Sequence, residues 1–212
     1  MFTTVNFYGI FFVVIQNFKE VENIEPIIKY HSGTILNRLK SVDRDIGKRY
    51  VIYDQNMMDF DLGKFNYNYP EPKVLILKED NNAKYIYRDQ IVFNMITGEC
   101  VLVGDESSGA ILPYNYTHIE VDEDKVYPRY LVYWFNHSPK ALKQINLFKQ
   151  GGSLIKKITH KQLQDMEIPL PTMEKQKLIG DLTHKRKKLK YLKEKRENLM
   201  DAYLVERLLR EE

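Results

Sequence analysis

The sequence predicts an α+β fold in which a globular domain is followed by one long C-terminal helix. Short apolar runs of strand length, separated by turn residues, occupy most of the chain before Pro171. The two prolines of segment 168–171 exclude a helix interior and favour a rigid extended connection. No proline follows, so a helix capped by Thr172 can run to about residue 210. We expect small mixed β-sheets and short helices in residues 1–171, and a coiled-coil-forming helix in residues 172–212.

The first part of the chain combines a helical pattern with strand-like runs. Ile24, Ile27 and Ile28 would share one face of a helix. Residues 31–34 have turn chemistry, and so does the longer stretch 54–72, which is rich in Asn, Gly and Pro. The apolar runs 50–53 and 74–77 predict strands.

The middle of the chain predicts a strand pair followed by two helices. The apolar runs 91–93 and 100–103 flank a turn at Gly98, and residues 110–119 predict a third strand. Pro128 is suited to the first turn of a helix that reaches Asn136. A further helical piece is expected over residues 140–148.

Bulk composition limits the classes to which the protein can belong. The chain has 212 residues and a formal net charge of +3, so it is large enough for a core and is not a polycation. Cys100 is the single cysteine, which excludes an internal disulfide and fits a reducing compartment. The apolar run 5–15 is too short to span a bilayer and lacks the flanks of a signal peptide. We therefore expect a cytoplasmic protein with no membrane association and a buried role for this run.

The long helix carries an apolar stripe at alternating spacings of three and four residues, as in a heptad pattern. Lys185 and Arg196 interrupt the stripe, but their long stems can lie along it. A stripe of this kind predicts pairing with a second helix, and we expect a homodimer. Its members are Leu178, Leu182, Leu189, Leu192, Leu199 and Tyr203.

The segment from Gly151 to Leu182 resembles the end of a target-recognition domain from a type I restriction-modification specificity subunit. The resemblance rests on a glycine loop, a short helix, the Ile-Pro-Leu-Pro element and a glutamine at the start of the long helix. Residues 85–104 also resemble the family's strand pair around a tight glycine turn. The residues that carry the similarity are Gly152, Leu163, Ile168, Pro169, Leu170, Pro171, Gln176 and Ile179.

This resemblance implies a DNA-recognition function without catalysis. Full specificity subunits have two recognition domains and two spacer helices, whereas one of each is found here, so the chain resembles a half-subunit. The expected partners are double-stranded DNA, a modification (methyltransferase) subunit and, in some complexes, a restriction subunit. No cofactor is expected on this chain, because S-adenosylmethionine would be held by the methyltransferase subunit.

Three segments are candidates for DNA contact. Paired glycines allow close approach to a phosphate, lysines neutralise phosphates, and amides can read base edges. A solvated loop is the alternative for each of them. The glycine-loop candidates are Lys143, Lys149, Gln150, Gly151, Gly152, Ser153, Lys156 and Lys157, and the earlier basic cluster is Arg38, Lys40, Arg44, Lys48 and Arg49. The amide- and aromatic-rich stretch contributes Gln55, Asn56, Asn66, Tyr67 and Asn68.

Two other functions remain open from the residues alone. The helix could make the chain a coiled-coil adaptor that binds other proteins. Asp61, Glu71 and Lys73 have the spacing with which some nucleases bind Mg²⁺, although such a match is common in a chain rich in Lys and Glu. The basic run 184–197 predicts a solvated helix face, with DNA contact or docking of the methyltransferase subunit as alternatives.

Overall fold

The computed structural model describes residues 27–64, 70–149 and 157–210. It shows an α+β domain followed by a long helix, as the sequence predicts. The strands are Ile28–Ser32 (β1), Lys48–Val51 (β2), Val74–Leu77 (β3), Ile91–Asn94 (β4), Cys100–Leu102 (β5) and Tyr116–Val121 (β6). The α-helices are Gln55–Asp61 (α1), Pro128–His137 (α2), Pro139–Lys149 (α3), His160–Gln164 (α4) and Met173–Arg210 (α5), and Leu36–Arg38 form a 3-10 helix.

The main sheet has the strand order β1-β6-β4-β5, with antiparallel neighbours throughout. All four residues of β4 are buried, because both faces of the sheet are covered. Ile91 and Phe93 point to the side where Trp134 and Phe135 pack. Val92 points to the opposite side, towards a second cluster of buried residues. The apolar run of β4 thus places the core on both sides of this strand.

The small sheet consists of the antiparallel pair β2 and β3. It is joined to the rest of the domain by backbone hydrogen bonds between Tyr53 and Ile111 and between Ile111 and Val51. Within the described residues, parallel pairing is limited to isolated bridges such as that of Ile52 with Ile111.

The structure corrects the prediction of turns over residues 54–72, because α1 lies there. The Asp54 side chain accepts a hydrogen bond from the Met57 backbone N–H at 3.0 Å and so caps the N-terminus of α1. Met58 of the same helix is fully buried. The Asn, Gly and Pro residues of this stretch indicated turns, whereas Asp54 at its start caps a helix.

The helix face predicted for Ile24, Ile27 and Ile28 is also wrong where the structure describes it. Ile28 begins β1 opposite Val121, and the Ile27 carbonyl accepts a bond from Asp122 N–H. His31 and Ser32, expected in a turn, are the last residues of this strand. The predicted strand over residues 110–119 begins only at Tyr116 and continues to Val121. Ile24 and the apolar run 5–15 lie outside the described residues.

Helix α2 lies between the main sheet and α5. Leu131, Trp134 and Phe135 are buried in the core, and the Asn136 amide hydrogen-bonds to both the N–H and the C=O of Cys100 on β5. Cys100 is itself buried, which raises the pKa of its thiol. None of the described helices has the length and apolarity needed to cross a bilayer.

Candidate functional site

The glycine loop starts and ends at two lysines that the structure places on backbone carbonyls. Lys149 Nζ donates to Thr97 O at 2.6 Å, and Lys157 Nζ donates to Tyr114 O at 2.9 Å. Lys157 also lies 4.1 Å from the centroid of the Tyr114 ring. Desolvation lowers the pKa of both lysines. These side chains therefore anchor the ends of the loop, whose residues Gln150, Gly151, Gly152, Ser153 and Lys156 lie outside the described part of the chain.

The two ends of this loop lie where β4 ends and β6 begins, at one end of the two central strands of the main sheet. Ile158 N–H donates to Met95 O, and Met95 N–H donates to Asn115 O, at 2.8 and 2.9 Å. Exposed apolar side chains flank the same place: Ile96 is 44% exposed and Tyr114 is 56% exposed. Sequence reasoning did not select Ile96 or Tyr114, because only the tertiary pairing brings them beside the loop. Lys143 is exposed on α3, less than two turns before Lys149.

The earlier basic cluster lies on the small sheet and the segment before it. Arg38 ends the 3-10 helix, Lys40 and Arg44 lie in the connection, and Lys48 and Arg49 belong to β2. All five side chains are exposed. Lys48 and Arg49 are neighbours in one strand and therefore point to opposite faces of it. The cluster is thus distributed around one part of the domain and is not gathered on a single face.

The amide-rich stretch is only partly described, since Asn66, Tyr67 and Asn68 lie outside the described residues. Gln55, another candidate for base reading, already has protein partners. Its Nε2 donates to Asp59 and Glu99, and its Oε1 accepts from Asn94 Nδ2 at 2.8 Å. Gln55 therefore holds α1 against the turn that follows β4.

The proposed nuclease residue Asp61 is used inside the fold. Its carboxylate accepts hydrogen bonds from the Tyr53 hydroxyl at 3.1 Å and from Gly104 N–H at 3.0 Å. Burial raises its pKa, although these hydrogen bonds act in the opposite direction. Glu71 and Lys73 are exposed, and the described residues contain no cluster of His, Cys, Asp and Glu that could hold a metal ion. The Asp61 carboxylate therefore joins α1 to the segment that follows β5.

Helix α5 contacts the domain through one face. Gln176 and Gly180 are buried, and the less exposed positions continue with Thr183, Lys187 and Tyr191. The predicted stripe lies between about 140° and 240° around the helix from Gln176, which is the opposite side. All its members are exposed: Leu178 by 68%, Leu182 by 65%, Leu189 by 54%, Leu192 by 49%, Leu199 by 62% and Tyr203 by 54%.

Gln176 joins the start of α5 to the start of α2. Its Oε1 accepts from Tyr127 N–H, and its Nε2 donates to Lys125 O and Pro171 O, each at 2.9 Å. Tyr127 is the N-cap residue of α2 and its side chain makes no capping bond. The Gln176 amide therefore satisfies a free backbone N–H at that helix start together with two carbonyls.

One turn later, Gly180 and Asp181 continue the contact. A Cβ atom at Gly180 would lie 2.7 Å from Tyr130 N and 2.9 Å from the carbonyl carbon of Arg129, so a larger residue cannot approach this closely. Asp181 accepts hydrogen bonds at 2.7 Å from both the Tyr127 hydroxyl and Arg129. Sequence reasoning did not select this contact, although a single glycine inside a helical pattern is the signal that could have indicated close packing.

Lys187 makes a further contact on this face of α5. Its Nζ donates to the backbone O of Asp61, at the end of α1, at 3.1 Å. Desolvation by burial lowers its pKa to about 8, although the charge of Asp61 acts in the opposite direction. Sequence reasoning had assigned Lys187 to a solvated basic face, because a contact with α1 cannot be read from periodicity.

Comparison with known proteins identifies the family. A family described as type I restriction modification DNA specificity domain matches residues 19–199. No curated protein matches the chain significantly.

Two solved structures have a similar fold. One is a chain solved in work on complex assembly and conformational transition of the type I R-M system, with 15% identity and a TM-score of 0.52. The other is the HsdS subunit from Thermoanaerobacter tengcongensis, with 16% identity and a TM-score of 0.51. Each alignment covers 82% of this chain and 46% of the solved chain, so the aligned region spans less than half the length of either solved chain. On the family match over most of its length, the chain belongs to the type I restriction-modification DNA specificity domains.

Proposed function

We propose that this chain is a DNA-specificity subunit that reads one half of a bipartite site and directs a methyltransferase subunit to it. The family match supports sequence recognition of DNA. The globular domain would bind one half-site, with the glycine loop, the basic residues at 38–49 and the neighbouring Ile96 and Tyr114 as the candidate surface. In this proposal the chain catalyses no reaction.

The observation that carries the proposal is the position of the leucine stripe. The stripe lies on the face of α5 that points away from its own domain, and the leucines on it remain exposed. Pairing with the same helix of a second copy, in the antiparallel sense, would bury it. A two-fold dimer of this kind presents two identical readers to a pseudo-palindromic sequence.

The chemistry would belong to a partner. A modification subunit carrying S-adenosylmethionine would methylate adenine, and a restriction subunit would join where the system includes one. The basic residues of 184–197 that point away from the domain offer a surface on which such a subunit could dock. No cofactor is assigned to this chain.

The test is co-expression with a type I modification subunit from the same host, followed by mapping of methylated adenines. A symmetric bipartite motif is the expected result, and it would support both the reader and the dimer. Stable co-purification without new methylation would identify an inactive or regulatory subunit. The absence of both methylation and co-purification would favour the alternative of a coiled-coil adaptor.

A further inference from the structure

Helix α5 is attached to the domain along its first turns and is exposed beyond them. The hydrogen bonds described above extend from Gln176 to Lys187, about 16 Å along the helix, and Tyr191 is still partly buried one turn later. Every described residue from 199 to 210 is exposed. The direction of the remaining length is therefore determined by a short segment near one end.

The contacts in this segment restrict the direction of α5 relative to the domain in different ways. Gln176 joins α5 to the N-cap of α2, and its three hydrogen bonds fix the position of the helix start. Gly180 sets the separation of the two helices, because backbone atoms of Arg129 and Tyr130 occupy the space of a side chain. Lys187 reaches the end of α1 and limits rotation of the helix about that crossing point.

The helix that receives these contacts is itself fixed to the sheet. Leu131, Trp134 and Phe135 of α2 are buried, and Asn136 pairs with both backbone polar groups of Cys100 in β5. The Tyr130 hydroxyl also donates to Pro169 O at 2.7 Å, which ties the proline segment to α2. A rigid path thus runs from the main sheet through α2 to α5.

Small changes of direction at this attachment become large at the far end. Helix α5 has 38 residues and a length of about 57 Å. A tilt of about 10° displaces its end by about 10 Å, which equals about three base-pair steps of 3.4 Å. Helix length alone therefore cannot define the separation between two readers joined by such helices.

We propose that Gln176 and Gly180 are positioning residues that set the gap between the two half-sites, by fixing the direction in which α5 leaves the recognition domain. This inference rests on the proposed function, because it assumes two readers joined through α5. It differs from a role in stability, because it predicts a change in which gap is accepted while the bases read in each half-site stay the same.

The experiment uses the dimer with its modification subunit and a set of duplexes. The half-sites are those found for the wild type, and the gap is varied by single base pairs. Methylation of each duplex is measured for the wild type, for Gly180→Ala and for Gln176→Leu. Lys177→Ala is the matched control, since Lys177 is exposed beside Gln176.

We expect a single preferred gap for the wild type and for Lys177→Ala. Gly180→Ala should move or widen the preference by at least about one base pair, because an added Cβ pushes α5 away from α2. Gln176→Leu should widen it, since the helix start loses its three hydrogen bonds. A uniform loss of methylation with an unchanged gap profile would overturn the inference and leave the proposed function intact.

A second readout does not depend on DNA. Spin labels at Asp80→Cys and Asp201→Cys report the distance between domain and helix, with labelled protein diluted into unlabelled protein. The buried Cys100 is replaced by serine in every variant. If the wild type has no bipartite motif, the proposed function fails. These distances then test separately whether Gly180 fixes the direction of α5, which is the geometric part of the inference. A broadened or shifted distance in Gly180→Ala supports it, and a distribution identical to that of the wild type overturns it.

Discussion

The first and second halves of α5 differ in what they contact, although they belong to one continuous helix. The first half packs on α2 with a glutamine, a glycine and an aspartate, and it presents leucines to solvent on the other side. The second half projects beyond the domain, and its apolar residues are exposed. The difference shows that polar hydrogen bonds and close backbone approach hold α5 on the domain, whereas its apolar stripe takes no part in that contact and stays exposed.

The largest effect is expected from the exposed stripe. Leu192→Lys with Leu199→Lys should convert the proposed dimer into monomers and raise its dissociation constant by at least about 100-fold, because each leucine buried by pairing would contribute about 1.5–3 kcal/mol. Sedimentation equilibrium measures this constant. Glu197→Lys with Asp201→Lys, on the same turns but away from the stripe, is the control. A double leucine variant with the dimer mass would contradict the pairing surface.

A smaller effect is expected from a change in the first half of α5, which packs on α2. Gln176→Leu should lower the free energy of unfolding by about 1–3 kcal/mol, because a buried N–H and two carbonyls lose their partners while the side-chain volume is nearly kept. Urea unfolding followed by tryptophan fluorescence gives this quantity, since Trp134 lies on α2. Gln164→Leu, at the exposed end of α4, should leave the midpoint nearly unchanged. Equal effects of the two changes would show that the Gln176 contacts contribute nothing.

The smallest effect concerns Lys187 and depends on pH. Its pKa in the folded protein is about 8, below the ordinary value of 10.5. The folded chain therefore binds fewer protons than the unfolded chain between these values, so the contribution of Lys187 to stability rises with pH across this window and is lost as pH falls through 8. Lys187→Met removes this contribution. The urea midpoint of the variant minus that of the wild type should therefore decrease between about pH 7.5 and pH 10.5.

Lys177→Met, which removes an exposed lysine from the same helix, allows the general effect of charge loss to be subtracted. A midpoint difference that stays constant over this range would show that Lys187 is not desolvated in the folded protein.

Patterns with a local cause were predicted from the sequence with good accuracy. The run of β4, the break at Pro169 and Pro171 and the length of α5 follow from periodicity and from proline chemistry, and each is present. Helix α1 was missed because aspartate is favoured both in turns and at helix N-caps, so Asp54 does not distinguish the two. Strand β1 was missed because its partner β6 is distant in sequence, so local periodicity at Ile27 and Ile28 carried no information about pairing.

The candidate site was less predictable for the same reason. Lys149 and Lys157 were selected for their charge, but their carbonyl partners Thr97 and Tyr114 come from other parts of the chain. The role of Gln176 was indicated only by a family resemblance, because its three partners meet only after α2 and the proline segment have assembled. Which of the basic residues contact DNA stays a prediction.

The Gln176 contacts also have a consequence for synthesis on the ribosome. The chain emerges from its N-terminus, and β1 must wait for β6, so the main sheet closes only after residue 121 has appeared. The start of α2 then keeps an unsatisfied N–H until residue 176 follows. The nascent recognition domain thus forms these buried hydrogen bonds only with the first turn of the helix that follows it. A fragment ending at Pro171 would stop short of that step and should be more readily degraded by proteases.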